Sequence, residues 1–125
     1  MRELPPYARF LGIRRGEDGT LAMPFDGNTG RPGFLHGGAI SGLLEITAIA
    51  ALSEALDAEE QGARIKPINV TVDFTRGGRD KDTIARGRVT RLGNRIANVE
   101  AIAWQDDEGR PIAGARMTYL IIRPR

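Results

Sequence analysis

From Gly37 to Leu56 the chain reads GGAISGLLEITAIAALSEAL, with apolar side chains on nearly every side of a helical wheel. A helix that is hydrophobic all round is a buried helix. Upstream, Leu4–Phe10 predicts a short helix with Pro5 and Pro6 in its first turn. Two short strands are expected at Leu11–Arg15 and Thr20–Phe25, joined by the turn-forming Gly16–Gly19, and Asp26–Gly33 reads as a loop. Gly62 and Pro67 punctuate the exit of the long helix, after which the period becomes alternating. Ile68–Thr75 places Ile68, Val70, Val72 and Phe74 on one face. Thr83–Leu92, Ile96–Trp104 and Pro111–Ile122 are longer strands, and the connectors RLGNR and DDEGR carry glycine in short polar runs, as hairpin turns do. The pattern predicts an α+β domain over residues 1–125, with an antiparallel sheet of about five to six strands wrapped around one long central helix.

At 125 residues the chain is long enough for one domain with a real core. It has no cysteine, which removes disulfides and thiol catalysis. One histidine rules out a multi-histidine metal centre within one chain, so no metal site is expected. The start, MRELPPYARF, lacks the apolar run of a signal peptide. The long helix is interrupted by Ser41, Glu45, Thr47, Ser53 and Glu54, so no membrane span and a cytoplasmic location are expected. Net charge is +2, but Arg76, Arg79, Lys81, Arg86, Arg88, Arg91 and Arg95 face only Asp80 and Asp82 in their stretch. Such a cluster suits an anionic partner or a solvated face of two strands. Without an aromatic residue for base stacking, the stretch does not point to nucleic acid.

The candidate chemistry sits at the start of the long helix. His36 precedes Gly37 and Gly38, whose missing side chains let backbone approach a ligand closely. Nine residues after the histidine, Glu45 is a carboxylate in an apolar run, where an acid is rarely unpaired without a reason. Ser41 lies one turn before it on the same face. Each residue also has a plainer reading. Glu45 could pair with an arginine, the glycines could serve helix–sheet packing, and His36 could orient the helix start.

The HGG at His36–Gly38, an acid nine residues on and a strand meander together resemble the hotdog-fold acyl-CoA thioesterases, in particular the phenylacetate-degradation and 4-hydroxybenzoyl-CoA branches. The resemblance runs from Leu11–Ile13 to Ala115–Ile122. It implies that the Gly37 N–H receives the thioester carbonyl oxygen and that Glu45 acts as nucleophile or as base toward water. His36 would orient the helix start, and Gly38 and Ser41 would line the substrate. Acid and glycine would come from different subunits, so a homodimer assembling into a homotetramer is expected. Coenzyme A enters as part of the substrate, not as a cofactor, and the hairpin residues Arg91, Gly93, Asn94 and Arg95, with Arg76 and Arg79, would contact it. The chain departs from the family pattern in places. The asparagine expected six residues before the histidine is Gly30 here, with Asn28 as the nearest candidate. The hydroxyl expected in the strand after the helix falls near Arg76, beside Thr75, and the one expected a turn after the acid is Ile49. Two other readings stand beside hydrolysis: a non-catalytic acyl-CoA-binding module, and a hydroxyacyl thioester dehydratase, suggested by Gly30–Pro32.

Overall fold

The computed structural model describes residues 3–60 and 62–124. A short helix α1 (Pro6–Leu11) ends at Gly12, whose left-handed φ of 75° turns the chain out of the helix. Two minor strands follow, β1 (Arg14–Arg15) and β2 (Leu21–Met23). The long helix α2 runs from Gly37 to Glu59. After it come β3 (Arg64–Phe74), β4 (Thr83–Leu92), β5 (Ile96–Trp104) and β6 (Ala113–Ile122). All pairings are antiparallel, in the order β1-β2-β4-β5-β6-β3. The sheet wraps α2, as the sequence pattern predicts.

The register explains the core. Ala85 on β4, Ala97, Ala101 and Ala103 on β5, and Ala113 and Ala115 on β6 are all buried, which the period of two sends to the same face. These small side chains make a shallow floor on which α2 lies. At Gly87 the approach is closest: a Cβ there would meet the Thr47 carbonyl oxygen at 2.9 Å and the Ala51 Cβ at 3.0 Å. Leu43, Leu44, Leu52 and Leu56 fill the space around this contact, together with Val99, Met117 and Tyr119. By length and hydropathy alone α2 could cross a membrane; here its buried residues pack into this core.

Several boundaries differ from the sequence reading. The strand expected at Leu11–Arg15 shrinks to two residues because Leu11 completes α1 and Gly12 caps it. The strand expected from Ile68 begins at Arg64, and Pro67 lies inside it rather than ending a loop. An edge strand tolerates proline, since its outward N–H has no partner to lose, and the register slips between Pro67 and Asn69. That slip is a bulge at Ile68. Helix α2 continues one turn past Leu56, closed by the Glu60 N–H on the Leu56 carbonyl. The last strand starts at Ala113, because the Ile112 carbonyl accepts from the N–H groups of Thr75 and Arg76 instead.

The helix–sheet contact at Gly87 yields a test. Gly87→Ala forces a methyl group against backbone that cannot rotate away, so it should destabilise the domain by about 1–3 kcal/mol, the usual scale of overpacking. Urea unfolding of the variant beside wild type measures it.

Candidate active site

The start of α2 is built by the loop before it. The His36 N–H donates to the Asn28 carbonyl at 2.8 Å, and the Asn28 side-chain amide donates to the carbonyls of Leu11 and Pro24, both at 2.9 Å. Asn28, the nearest candidate for the family's asparagine, is buried, and its amide hydrogens are used to hold the loop. His36 is the N-cap: its Nδ1 accepts the Gly38 N–H at 2.9 Å. That bond requires an unprotonated Nδ1, which turns the imidazole toward orienting the helix and away from base chemistry at that nitrogen. The N–H groups of Ala39 and Ile40 bond to the His36 carbonyl at 3.0 and 3.2 Å. One donor of the first turn is left. The Gly37 N–H has no partner among the described residues.

The two glycines after His36 are present for different reasons. A Cβ on Gly38 would sit 2.8 Å from His36 Nδ1, so the cap itself demands glycine. A Cβ on Gly37 would make only ordinary contact, 3.5 Å from Phe74 Cζ. Packing does not demand Gly37. Its bare backbone keeps open a positive helix end with one unspent donor, the geometry that favours a polarised oxygen. Phe74, the last residue of β3 and 54% exposed, leans over this point.

Glu45 stands two turns further along α2, half-buried and with no ion pair or hydrogen bond among the described residues. Ser41, one turn before it, makes no hydrogen bond to it. Within the described residues of one chain, Glu45 is not one half of an arginine pair. Within range of its charge is Tyr119, 1% exposed, whose hydroxyl donates to Met117 Sδ at 3.4 Å. Burial, and then the neighbouring Glu45 charge, push the Tyr119 phenol up to about 12. Sequence alternation marks Tyr119 as inward-facing, but only the docking of helix on sheet shows which inward residue meets Glu45.

The basic residues divide between the two ends of α2. At its start, the guanidinium carbons of Arg31 and Arg79 lie 4.2 and 4.1 Å from the centre of the Phe34 ring, a cation–π arrangement. The Leu35 N–H bonds to the Gly78 carbonyl, tying the two loops together. Arg76 is close by in sequence, with one guanidinium nitrogen donating to the Pro111 carbonyl at 2.8 Å. Thr75 spends its hydroxyl on the same carbonyl. The hairpin Arg91–Arg95 sits at the opposite end. Arg123 donates to the Gly93 and Asn94 carbonyls and pairs with Glu59 and Glu60 at the end of α2. Within one chain, then, Arg91, Gly93, Asn94 and Arg95 are not brought to Gly37. A helix of 23 residues separates them by roughly 33 Å.

A half-open cleft of about 790 Å³ lies along the C-terminal half of α2, beginning at Ile49, one turn past Glu45. Ile49 and Ala50, one turn past Glu45, form its near wall with Leu4 and Pro5, while Ser53, Glu54, Asp57, Glu3, Arg15 and Gly62 line the rest. No group of three or more metal-ligating side chains occurs among the described residues.

Comparison with known proteins decides the family. Residues 32–112 match the model of the thioesterase superfamily. The chain belongs to that superfamily. No curated protein matches the chain. Among solved structures, a thioesterase of Haemophilus influenzae (HI1161) is 27% identical with a TM-score of 0.81, covering 94% of this chain and 82% of its own. A phenylacetic acid degradation-related protein of Ralstonia eutropha is 27% identical with a TM-score of 0.73, covering 95% and 92%. The BH2602 protein of Bacillus halodurans, solved with CoA, shares the fold at 16% identity and a TM-score of 0.77, covering 97% and 78%. The fold of this thioesterase-superfamily chain is the hotdog fold, a six-stranded antiparallel sheet around one helix.

The position of Tyr119 gives a pH test. Its folded value, about 12, lies above the usual 10, so its contribution to stability is complete below pH 10 and is lost as pH rises toward 12. Measured by urea unfolding, the stability of wild type relative to Tyr119→Phe should be constant up to about pH 10. Above that it should fall against the wild type.

Proposed function

We propose that this protein hydrolyses an acyl-CoA thioester to the free acid and coenzyme A. The observation that carries the reading is the pair of unspent groups on α2: the Gly37 N–H and the Glu45 carboxylate. The thioester carbonyl oxygen accepts the Gly37 N–H, and the helix end stabilises the charge that grows on it. Glu45 supplies the oxygen nucleophile, either directly or by taking a proton from water as that water adds to the carbonyl carbon. The tetrahedral species then collapses. The C–S bond breaks, the thiolate leaves and takes up a proton, and the acid remains. Where the carboxylate itself attacks, water then hydrolyses the mixed anhydride and returns Glu45. His36 caps the helix so that the Gly37 donor is fixed, and Asn28 holds the loop that places His36.

Two chains are part of this reading. Eight residues of helix separate Gly37 from Glu45, roughly 12 Å along the axis, which is long for two groups acting on one carbonyl. The sheet offers a way to supply both from different chains. Strand β3 is an open edge of 11 residues with Ile68 exposed, and an unpaired apolar edge is a template for another strand. Pairing two β3 strands about a two-fold axis sets the helices antiparallel. The start of one helix then lies toward the end of the other, where Arg91 and Arg95 sit. In this reading the hairpin residues and the Arg31, Arg76 and Arg79 group bind the phosphates of one coenzyme A from two chains. Two such dimers assemble into the homotetramer.

Three measurements test this. Glu45→Gln should lower turnover on the order of a hundredfold or more with acyl-CoA binding retained, the scale of losing a positioned base or nucleophile. A folded variant within about threefold of wild type would return Glu45 to a structural role. Gly37→Ala should melt no lower than wild type, since alanine favours helix by about 1 kcal/mol, while its added methyl group crowds the oxygen site and lowers kcat/KM. Light scattering at micromolar concentration should return a dimer or tetramer; a monomer would refute the shared site.

A further inference from the structure

The cleft beyond Glu45 ends on a group that nothing in the fold explains. Ser53 is 7% exposed, yet its hydroxyl has no hydrogen-bond partner among the described residues. By contrast Thr47, buried on the same helix, donates to the Leu43 carbonyl at 2.7 Å. No buried side-chain nitrogen or oxygen among the described residues lacks a partner, so the Ser53 hydroxyl is open, and the cleft it lines is where it opens. Ile49, Ala50, Leu4 and Pro5 make the walls nearer Glu45 apolar. Glu54, exposed and without a partner, stands beside Ser53 on the rim.

We propose that the acyl group taken by this cleft has an apolar body and a terminal hydroxyl group that hydrogen-bonds to Ser53. The inference rests on the thioester reading above and names its substrate class. An alkyl end would cover the Ser53 oxygen and strip away its water, leaving a buried hydroxyl unpaired, which is costly. A hydroxyl end donates to and accepts from Ser53, so both are satisfied. A terminal carboxylate meets a lining in which Glu3, Glu54 and Asp57 outnumber the single Arg15, itself already engaged, and is disfavoured. The reach fits a medium chain. From Glu45 to Ser53 is eight residues of helix, about 12 Å along the axis, which roughly ten extended carbons span.

The test separates binding from hydrolysis. Titration calorimetry with three unhydrolysable thioethers, S-decyl-CoA, S-(10-hydroxydecyl)-CoA and S-(9-carboxynonyl)-CoA, reads the cleft directly. The hydroxydecyl compound should bind about three- to tenfold more tightly than the decyl compound, the range of one net hydrogen bond, and the carboxynonyl compound least tightly. In Ser53→Ala the hydroxyl preference should vanish, with decyl affinity rising as the cost of stranding the serine hydroxyl is lifted, while the urea midpoint stays near wild type. Equal decyl and hydroxydecyl affinities, failure of all three to bind, or a preference that survives Ser53→Ala would overturn the proposal. The matching thioesters are then assayed for released thiol. Selective binding without hydrolysis supports the cleft assignment and refutes the hydrolase reading. Hydrolysis without selectivity does the reverse.

Discussion

The contact on which the rest of the structure depends is the seating of α2 on a floor of alanine and glycine. Helix and sheet can approach only as closely as the side chains between them allow. On β4, β5 and β6 those side chains are methyl groups at Ala85, Ala97, Ala101, Ala103, Ala113 and Ala115, with no side chain at all at Gly87. The curved sheet therefore meets the helix along its buried side, and positions there acquire fixed neighbours. Phe74 falls over Gly37 and Gly87 under Thr47, and Tyr119 comes within range of the Glu45 charge. A bulkier floor would lift the helix and dissolve these pairings, even though none of the alanines touches the site.

With the helix so fixed, the first turn becomes a problem in distributing donors. A helix start exposes several N–H groups, and here His36 satisfies three: one with its imidazole and two with its carbonyl. The single donor left over is at Gly37, and the residue there is the one that packing does not require to be glycine. An unpaired N–H at the first helical position is common to helix starts; what distinguishes this one is a glycine that packing does not demand. The same logic applies at Glu45 and Ser53, each partly or mostly buried and each unspent. Among the described residues, Gly37, Ser41, Glu45 and Ser53 thus each keep an unused polar group along one helix, while the buried Thr47 hydroxyl is satisfied within its own turn.

Much of this was legible in the sequence because α2 and the longer strands carry strong periodic signals. The apolar run fixed the helix to within a turn, and alternation marked the last three strands closely. The short elements were less legible. Leu11 reads equally well in helix or strand, and only the left-handed Gly12 decides it. Pro67 signals a break, but at a sheet edge it costs little. The HGG and the acid nine residues later were visible as a spacing. Their separate meanings were not, since it takes the Nδ1 bond to Gly38 to show that one glycine serves the cap and the other does not. Tyr119, Phe34 and Phe74 gave no signal as site residues, because an aromatic in a strand or loop is first of all core.

The charge distribution shows why sequence neighbours can mislead. Arg79 and Arg95 belong to one basic stretch, but β4 carries the chain the full length of the helix between them. At the hairpin, Arg123 binds two backbone carbonyls and two carboxylates from the helix end. That locks the strand turn to the helix terminus, and Arg91 and Arg95 on the turn are exposed. At the other end, Arg31 and Arg79 share the Phe34 ring, which holds two like charges near one another without a carboxylate between them. Such a pair is unfavourable until an anion arrives, and the helix dipole at Gly37 adds to the positive potential there. In the proposed reaction a polyanionic thioester would relieve that repulsion. Charge and the open Gly37 donor thus favour an anionic ligand at the same helix terminus.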